Sequence, residues 1–219
     1  MKNISIENSK ILTSQQKKVL KYLSNILDLK NCYWAGGTGL AAVYSHRLSE
    51  DIDIFFINDD VINFDKIIYQ LNKKFKVQVE TNLKNDTLNM YVDDLKVQIL
   101  RDFYKQVGKK INTTEKIKIA SIKQIGYMKL LAVMNRGSKK DFIDLYVIEQ
   151  NGTKIIDLIN SLSERFENIK DVGHLIKSLE YFDDADKDVA PKMFIKIDWN
   201  KIKKYFIEIV LSYRKQYKI

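Results

Sequence analysis

The stretch Trp34–Phe56, WAGGTGLAAVYSHRLSEDIDIFF, contains the pattern that decides the fold. Near its end, Asp51 and Asp53 alternate with Ile52 and Ile54. Side chains at i and i+2 of a strand point to the same side, roughly 6–7 Å apart, so the two carboxylates can share a divalent cation while the isoleucines face the core. Mg²⁺ takes carboxylate oxygens and keeps positions open for substrate phosphates. The pattern therefore predicts a metal-dependent phosphate site.

Gly36 and Gly37 supply the other half of this prediction. Without Cβ atoms, they allow backbone amides to come close to a ligand. A helix that begins at about Thr38 would direct its free N–H groups and its positive dipole end at a phosphate. From these residues alone, a glycine turn followed by an exposed acidic strand remains the alternative.

The same stretch resembles a known family. Thirteen residues separate Gly37 from Asp51, and a Gly-Gly pair followed at this distance by Asp-apolar-Asp-apolar is similar to the fingerprint of the polymerase-β-like nucleotidyltransferase superfamily. More narrowly, the segments Gly36–Ala41, His46–Ser49 and Asp51–Phe55 resemble those of the AbiEii/AbiGii toxin-type nucleotidyltransferases. These are bacterial toxin and phage-defence proteins.

Two further blocks resemble the same family. The second comprises Met128–Leu130, Arg136-Gly137 and Lys140–Leu145, and the third, least specific one comprises Tyr181–Ala185 and Asp198-Trp199. The resemblance covers most of the chain. It implies an α+β fold, in which a polymerase-β-like nucleotidyltransferase domain with a mixed sheet flanked by helices is followed by a C-terminal helical bundle domain.

The periodicity of apolar residues predicts the same order of elements. Helices are predicted from just after Ser14 to residue 27, at 38–46 and at 61–75. Strands are predicted at 31–35, 51–57, 76–82, 87–92 and 95–101, with Asp93-Asp94 as the turn between the last two. Beyond residue 115 the spacing is helical, at 121–136, 139–150, 153–167, 171–180 and 199–217. Strands followed by helices predict a mixed-sheet domain at 1–106 and a helical domain at 107–219.

The first block implies the following roles. Asp51 and Asp53 are the predicted catalytic metal ligands, and the predicted phosphate-binding residues are Gly36, Gly37, Thr38, Arg47 and Ser49. The Thr38 hydroxyl would be an added donor. For Arg47 two interpretations stay open: a bidentate clamp on a phosphate, or an ion pair with Glu50 or Asp51 that holds the loop.

The second block contains the predicted cations. Lys129 and Arg136 are seven residues apart and so lie on one helix face. The resemblance implies that Lys129 is catalytic and neutralises the leaving pyrophosphate, and that Arg136 also binds phosphate. The alternative is a lysine that snorkels from an apolar helix. Lys140, Asp141 and Asp144 are predicted supporting residues, with the acids orienting Lys129 or Arg136.

One position departs from the pattern of the superfamily. Polymerase-β-like enzymes commonly carry a third carboxylate on a neighbouring strand, but the plausible strand here contains the neutral Gln98. Either another acid, such as Glu80 or Asp94, takes this place, or a second metal ion is held weakly. The general base stays unassigned.

Length and composition fit an intracellular enzyme. A chain of 219 residues with 45% hydrophobic residues forms one large or two small domains. The single cysteine, Cys32, excludes an intramolecular disulfide and suits a reducing cytosol. The sequence has no basic-then-apolar leader and no apolar run of roughly 20 residues that would span a bilayer. We expect a cytoplasmic protein without a membrane segment.

Positive charge is concentrated in the second half of the chain. Residues 1–104 contain 14 lysines and arginines against 13 acids, whereas residues 105–219 contain 23 against 15. Phosphate neutralisation by basic side chains supplies much of nucleic-acid affinity, so we expect RNA to bind through the basic helical half. Ordinary solvated lysines are the alternative for each of these residues taken singly.

These observations predict a nucleotidyltransferase of the EC 2.7.7 class. It would move a nucleoside monophosphate from an NTP to a hydroxyl acceptor, with Mg²⁺ as cofactor and Mn²⁺ as the alternative ion. The resemblance implies RNA, at the 3′ end of tRNA, as the acceptor, and a toxin restrained by a cognate antitoxin. The alternatives are a catalytically weak nucleotide-binding regulatory module and a metal-dependent nuclease that uses the same aspartates.

Overall fold

The computed structural model describes residues 3–57, 62–83, 86–102, 106–162 and 172–218. Parts of three predicted helices, namely residue 61, residues 163–167 and residue 171, lie outside the described residues. The chain forms two compact units, Met1–Ser121 and Ile122–Ile219. Each is described by itself.

The first unit contains a five-stranded mixed sheet with flanking helices. In chain order its elements are α1 Ser14–Ile26, β1 Cys32–Ala35, α2 Gly36–Tyr44, β2 Ile52–Phe56, α3 Phe64–Asn72, β3 Val77–Leu83, β4 Thr87–Val92 and β5 Leu95–Arg101. The strand order is β1-β2-β5-β4-β3, with β2 and β5 parallel and the other neighbours antiparallel. This is the mixed sheet that the sequence predicts.

A capping box fixes the start of α1. Thr13 is the N-cap and accepts a hydrogen bond from the Gln16 backbone N–H, while the Gln16 side chain accepts one from the Thr13 N–H. Two free N–H groups at the helix start are thereby satisfied reciprocally. Ser14, predicted to precede the helix, is its first residue because the capping partner of Gln16 lies one position earlier.

The sheet buries one face. On β2, Ile52 and Ile54 are fully buried whereas Asp53 is half-buried, and β5 repeats this alternation at Val97, Gln98 and Ile99. The period of two that was visible in the sequence places the acidic and amide side chains on the opposite face from the isoleucines. The predicted turn between β4 and β5 is confirmed at Asp93-Asp94, where both residues have positive φ.

The first unit extends beyond the predicted boundary at 106/107. Ile119 pairs with Ile111 and with Trp34 on β1. The Trp34 backbone N–H donates to the Lys118 carbonyl at 2.8 Å, and the Ala120 N–H donates to the Trp34 carbonyl at 2.8 Å. The segment after residue 106 therefore completes the outer edge of β1, a long-range pairing that local periodicity does not indicate.

The described elements of the second unit are helical: α4 Ile122–Arg136, α5 Lys139–Gln150, α6 Ile155–Asn160, α7 Gly173–Leu179, α8 Asp183–Lys187 and α9 Trp199–Tyr217. Phe142 and Phe206 are fully buried with ring centroids 5.2 Å apart, and Phe182 lies 5.2 Å from Phe142. The short helix α8 was not predicted. Within the described residues, no helix is both long and apolar enough to cross a membrane.

Candidate functional site

The glycine pair forms the first turn of α2. This helix begins at Gly36, two residues before the predicted start, and Ala35 is its N-cap. Gly36 has φ +69°, a conformation that favours glycine. The first N–H groups of an α-helix have no partner within the helix, so the turn presents backbone donors and the positive end of the helix dipole.

Asp53 lies directly against this turn. It is the Cα partner of Ala35 across the antiparallel β1–β2 pair, and a Cβ atom placed on Gly36 would lie 1.9 Å from its Oδ2 atom. Only a residue without a side chain allows this approach. The carboxylate and the backbone donors of the turn therefore share one small region of the first unit.

Arg47 and Ser49 lie against the second glycine of the turn. A Cβ atom on Gly37 would lie 2.5 Å from Arg47 Nη2 and 2.9 Å from Ser49 Oγ. Arg47 is almost fully buried, and its Nη1 donates to the Leu48 carbonyl at 2.9 Å. Its guanidinium thus places a positive charge behind the glycine turn, an arrangement that suits an anionic ligand.

Thr38 holds the loop that precedes β2. Its side chain is buried, and its hydroxyl donates to the backbone carbonyl of Asp51. The hydroxyl was predicted to donate to a phosphate, but here it fixes the backbone of a predicted metal ligand instead. Asp51 itself is the last residue before the strand, which begins at Ile52.

Gln16 also positions this loop, a role that sequence reasoning missed. Its Nε2 donates to the carbonyls of Ser49, at 2.8 Å, and Glu50, at 3.1 Å. The side chain is buried and at the same time closes the capping box of α1. The Thr-x-x-Gln spacing is visible in the sequence, but it signals only the helix cap.

Gln98 occupies the position beside Asp53 where the third carboxylate was sought. The two residues are Cα partners across the parallel β2–β5 pair, and Gln98 Nε2 donates to Asn89 Oδ1 at 2.6 Å. Glu80 is on β3, three strands away from β2, and Asp94 is in the β4–β5 turn. Neither acid therefore neighbours Asp53 in the sheet.

The fit of this site to a divalent metal rests on two carboxylates. Within the described ranges, no group of three or more His, Cys, Asp and Glu side chains could hold a metal ion. Carboxylate oxygens suit a hard cation such as Mg²⁺, which leaves other positions for water and phosphate. The Asp53 carboxylate, with the glycine turn beside it, has donor chemistry suited to such an ion, and Asp51 as the second ligand stays a prediction.

A buried ionic cluster joins α4 and α5 in the second unit. Lys129 Nζ lies 2.9 Å from Asp141 Oδ1 and 2.6 Å from Asp144 Oδ2, and all three side chains are nearly or fully buried. Buried charges persist when they are paired and hydrogen-bonded. The two acids therefore hold the Lys129 ammonium in one place. Their predicted supporting role requires this contact with Lys129.

Arg136 binds the same aspartate from the outside. Its Nε and Nη2 donate to the two oxygens of Asp141 at 2.8 and 3.0 Å, and the Ser138 hydroxyl donates to Asp141 Oδ2 at 2.8 Å. Burial would raise the pKa of Asp141, but the Lys129 ammonium and the Arg136 guanidinium outweigh it and hold this pKa below its usual range. The carboxyl is therefore ionised at neutral pH.

A cleft of about 350 Å³ adjoins this cluster within the second unit. Arg136, Ser138 and Lys140 line it, together with Asp188 and residues of the following loop. The Arg136 side chain is 55% exposed although its head group is bound to Asp141. Solvent therefore reaches both Arg136, which is predicted to bind phosphate, and Lys140, which is a predicted supporting residue.

Comparisons with known proteins agree with this architecture. The model of the family described as nucleotidyl transferase AbiEii toxin, type IV toxin–antitoxin system, matches residues 18–216. An uncharacterised protein of Aquifex aeolicus (strain VF5) is 31% identical over 204 residues, which cover 92% of this chain and 97% of the relative.

Two solved structures show the same fold. JHP933 from Helicobacter pylori has a TM-score of 0.54 at 18% identity and covers 94% of each chain. The nucleotidyltransferase toxin MenT4 from Mycobacterium tuberculosis H37Rv has a TM-score of 0.54 at 10% identity, covering 88% of this chain and 80% of its own. Together with the family match, these findings establish that the chain belongs to the AbiEii nucleotidyltransferase toxin family, and its enzyme class is that of the nucleotidyltransferases.

Proposed function

We propose that this chain transfers a nucleoside monophosphate from an NTP to a hydroxyl group of RNA and releases pyrophosphate. The observation that carries the proposal is the contact between the Asp53 carboxylate and the Gly36 turn. A metal ligand and a set of phosphate-binding amides next to each other are what a triphosphate–metal complex requires. The acceptor hydroxyl would attack the α-phosphate in line with the leaving pyrophosphate.

In the first unit, Asp51 and Asp53 hold the cation, which is Mg²⁺ or, as the alternative, Mn²⁺. The ion supplies charge neutralisation at the phosphates. The amides of Gly36 and Gly37 bind phosphate oxygens, and Arg47 adds positive charge behind them. Ser49 offers a hydroxyl at the same turn, while Thr38 and Gln16 hold the loop that carries Asp51.

In the second unit, Lys129, Arg136 and Lys140 supply positive charge for phosphate groups. Asp141 and Asp144 fix the Lys129 ammonium, and Asp141 orients the Arg136 guanidinium. Fixed cations stabilise the charge that develops on a leaving pyrophosphate without reorganising during the reaction. Arg136 and Lys140 have the exposure needed to reach a ligand, whereas Lys129 acts from a buried position.

The acceptor we propose is the 3′ end of tRNA, and the biological role is that of a toxin with a cognate antitoxin. The family description names a toxin of a toxin–antitoxin system, and the basic excess in residues 105–219 supports a polyanionic acceptor. A cytoplasmic location follows from such a substrate.

The test is transfer of label. The purified chain is incubated with total tRNA, Mg²⁺ and each α-labelled NTP in turn, with Asp51→Ala/Asp53→Ala as the control. We expect tRNA to gain label and length with one NTP and the double variant to be inactive. No label with any NTP, or label that persists in the double variant, would refute the proposal.

A second candidate function is a nucleotide-binding regulatory module with little turnover. Gln98 favours it, because a neutral amide stands beside Asp53 where a third carboxylate was expected. Under this alternative the chain binds NTP, but no acceptor gains label. A nuclease is separated by the same experiment, because cleavage shortens RNA whereas transfer lengthens it.

A further inference from the structure

A basic groove runs along the exposed face of α1 in the first unit. Lys17, Lys18, Lys21 and Lys74 line it, together with Tyr22 and Glu7. Its volume is about 540 Å³, within the usual range for ligand clefts. Lys21 follows Lys18 by three residues and Lys17 by four, so it shares one side of the helix with both, while Val19, Leu20 and Leu23 face the core.

The positive charges on α1 lower the stability of this helix. The helix contains no acidic residue, has none in its first turn and has no basic residue in its last turn. Lys17 and Lys21 are like charges at i and i+4, which repel, and a positive charge near the N-terminus opposes the helix dipole. Within the described part of the chain, Lys17, Lys18 and Lys21 pair with no carboxylate.

Lys74 lies over an aromatic ring in the groove. Its Nζ lies 5.6 Å from the centroid of the Tyr22 ring, a cation–π distance. Tyr22 is itself fixed, because its hydroxyl donates to the Gln70 carbonyl at 2.9 Å and its ring packs edge-on against Phe75 at 5.4 Å. The fourth lysine therefore faces the other three from a different element.

Gln16 connects the first turn of α1 to the loop of the candidate site. Lys17 and Lys18 directly follow Gln16, whose side chain holds the Ser49 and Glu50 carbonyls just before Asp51. From Lys17 the groove extends along α1 to Asn25, a rise of about 12 Å along the helix axis.

We propose that this groove binds the phosphodiester backbone of the RNA acceptor. The inference rests on the proposed function for the identity of the polyanion, but it locates the contact on α1, in the half of the chain whose net charge is near zero. Lysine ammonium groups act as point charges toward phosphates, and each phosphate they neutralise adds to the salt dependence of binding.

The test measures RNA binding without catalysis. Fluorescently labelled total tRNA is titrated with the protein in EDTA and without NTP, at several salt concentrations. The groove variant is Lys17→Gln/Lys18→Gln/Lys21→Gln, because glutamine keeps a good helix propensity. The charge-matched control is Lys10→Gln/Lys30→Gln/Lys66→Gln, three exposed lysines of the same unit outside the groove. Arginine at the three groove positions is the conservative variant.

We expect the groove variant to bind tRNA roughly 10- to 100-fold more weakly at 0.1 M salt, with a slope of log K against log salt shallower by about 2. The control should stay within about threefold of the parent protein on the same argument, and the arginine variant should restore binding. The groove proposal would be overturned if both glutamine variants bound tRNA equally weakly, or if the groove variant bound tRNA as tightly as the parent protein.

The two proposals fail separately. If tRNA gains label but the groove variant binds it normally, only the groove proposal is wrong. If binding depends on the groove but no NTP labels RNA, the transfer reaction is wrong and the groove stands.

Discussion

Gly36 and Asp53 are in such close contact that a methyl group on Gly36 would lie 1.9 Å from the Asp53 carboxylate. The atom it would displace is the end of a flexible side chain, so the structure can yield by moving that carboxylate. A change at Gly36 should therefore disturb the site more than the fold.

The first prediction concerns Gly36→Ala. The positive φ at this position should lower the free energy of unfolding by about 1–2 kcal/mol when the residue is alanine. The displaced Asp53 carboxylate should lower the rate of nucleotidyl transfer by on the order of 100-fold, because a misplacement of about 1 Å at a reacting site can have this effect. Gly152→Ala is the matched control, because Gly152 also has positive φ but no atom within 4 Å of the added methyl. Thermal melts and transfer rates of both variants provide the measurement. Comparable activity losses in the two variants would show that strain, not the contact with Asp53, is responsible.

The second prediction concerns Gln98→Glu. A carboxylate at the Cα partner of Asp53 would add charge and oxygen ligands to the site, so we expect Mn²⁺ to bind on the order of 10-fold more tightly. Titration calorimetry or Mn²⁺ spectroscopy measures this. Gln78→Glu on strand β3 introduces the same charge far across the sheet and should leave the affinity unchanged. Unchanged affinity in Gln98→Glu would place the metal elsewhere.

The third prediction separates the two functions of Gln16. Gln16→Glu keeps an acceptor for the Thr13 N–H but loses the amide donor to Ser49 and Glu50, whereas Gln16→Met loses both. Both variants should reduce kcat/KM by about 10-fold because the loop before Asp51 loosens. Only Gln16→Met should also lose the side-chain acceptor of the Thr13 N–H, at about 1 kcal/mol, while the Thr13 cap on the Gln16 backbone N–H remains. Parent-level kcat/KM in the glutamate variant would mean that the loop needs no such anchor.

The fourth prediction concerns the buried cluster of the second unit. Asp141→Asn leaves Lys129 with one buried carboxylate and removes the acceptor pair of Arg136, so we expect the free energy of unfolding to fall by about 3–5 kcal/mol at neutral pH. Denaturant titrations measure this. Asp184→Asn, at an exposed ion pair of 3.8 Å with Lys187, should have no measurable effect. Equal stability of both variants with the parent protein would contradict the role of the cluster.

The same cluster predicts a pH dependence. The pKa of Asp141 is lowered in the folded state, so its contribution to stability is fully present above the pKa of the unfolded carboxyl, about 4, and is lost as the pH falls through the folded value. Acid unfolding of the parent protein should therefore be steeper than that of Asp141→Asn. Denaturant midpoints of both proteins, measured between neutral pH and about pH 3, test this. If the two midpoints fell in parallel with pH, the pKa of Asp141 would not differ between the folded and unfolded states.

The local pattern of apolar residues was sufficient to predict many of the helices and strands. Strands β4 and β5 and helices α5 and α9 have the predicted bounds, because alternation and helical spacing persist over their whole length. The short helix α8 and the pairing of Ile119 with Trp34 were missed. A five-residue helix has too few turns for a period, and a long-range bridge leaves no local trace.

The sequence alone determined the family and the chemical types present, because the glycine pair, the aspartate pair and their spacing are properties of a short continuous stretch. The tertiary structure alone decided which groups meet. Register placed neutral Gln98 beside Asp53, burial turned the Thr38 hydroxyl toward the Asp51 carbonyl, and helix packing gathered Lys74 with the lysines of α1. Such contacts join residues that are distant along the chain. Neither periodicity nor net charge indicates how close such residues lie in space.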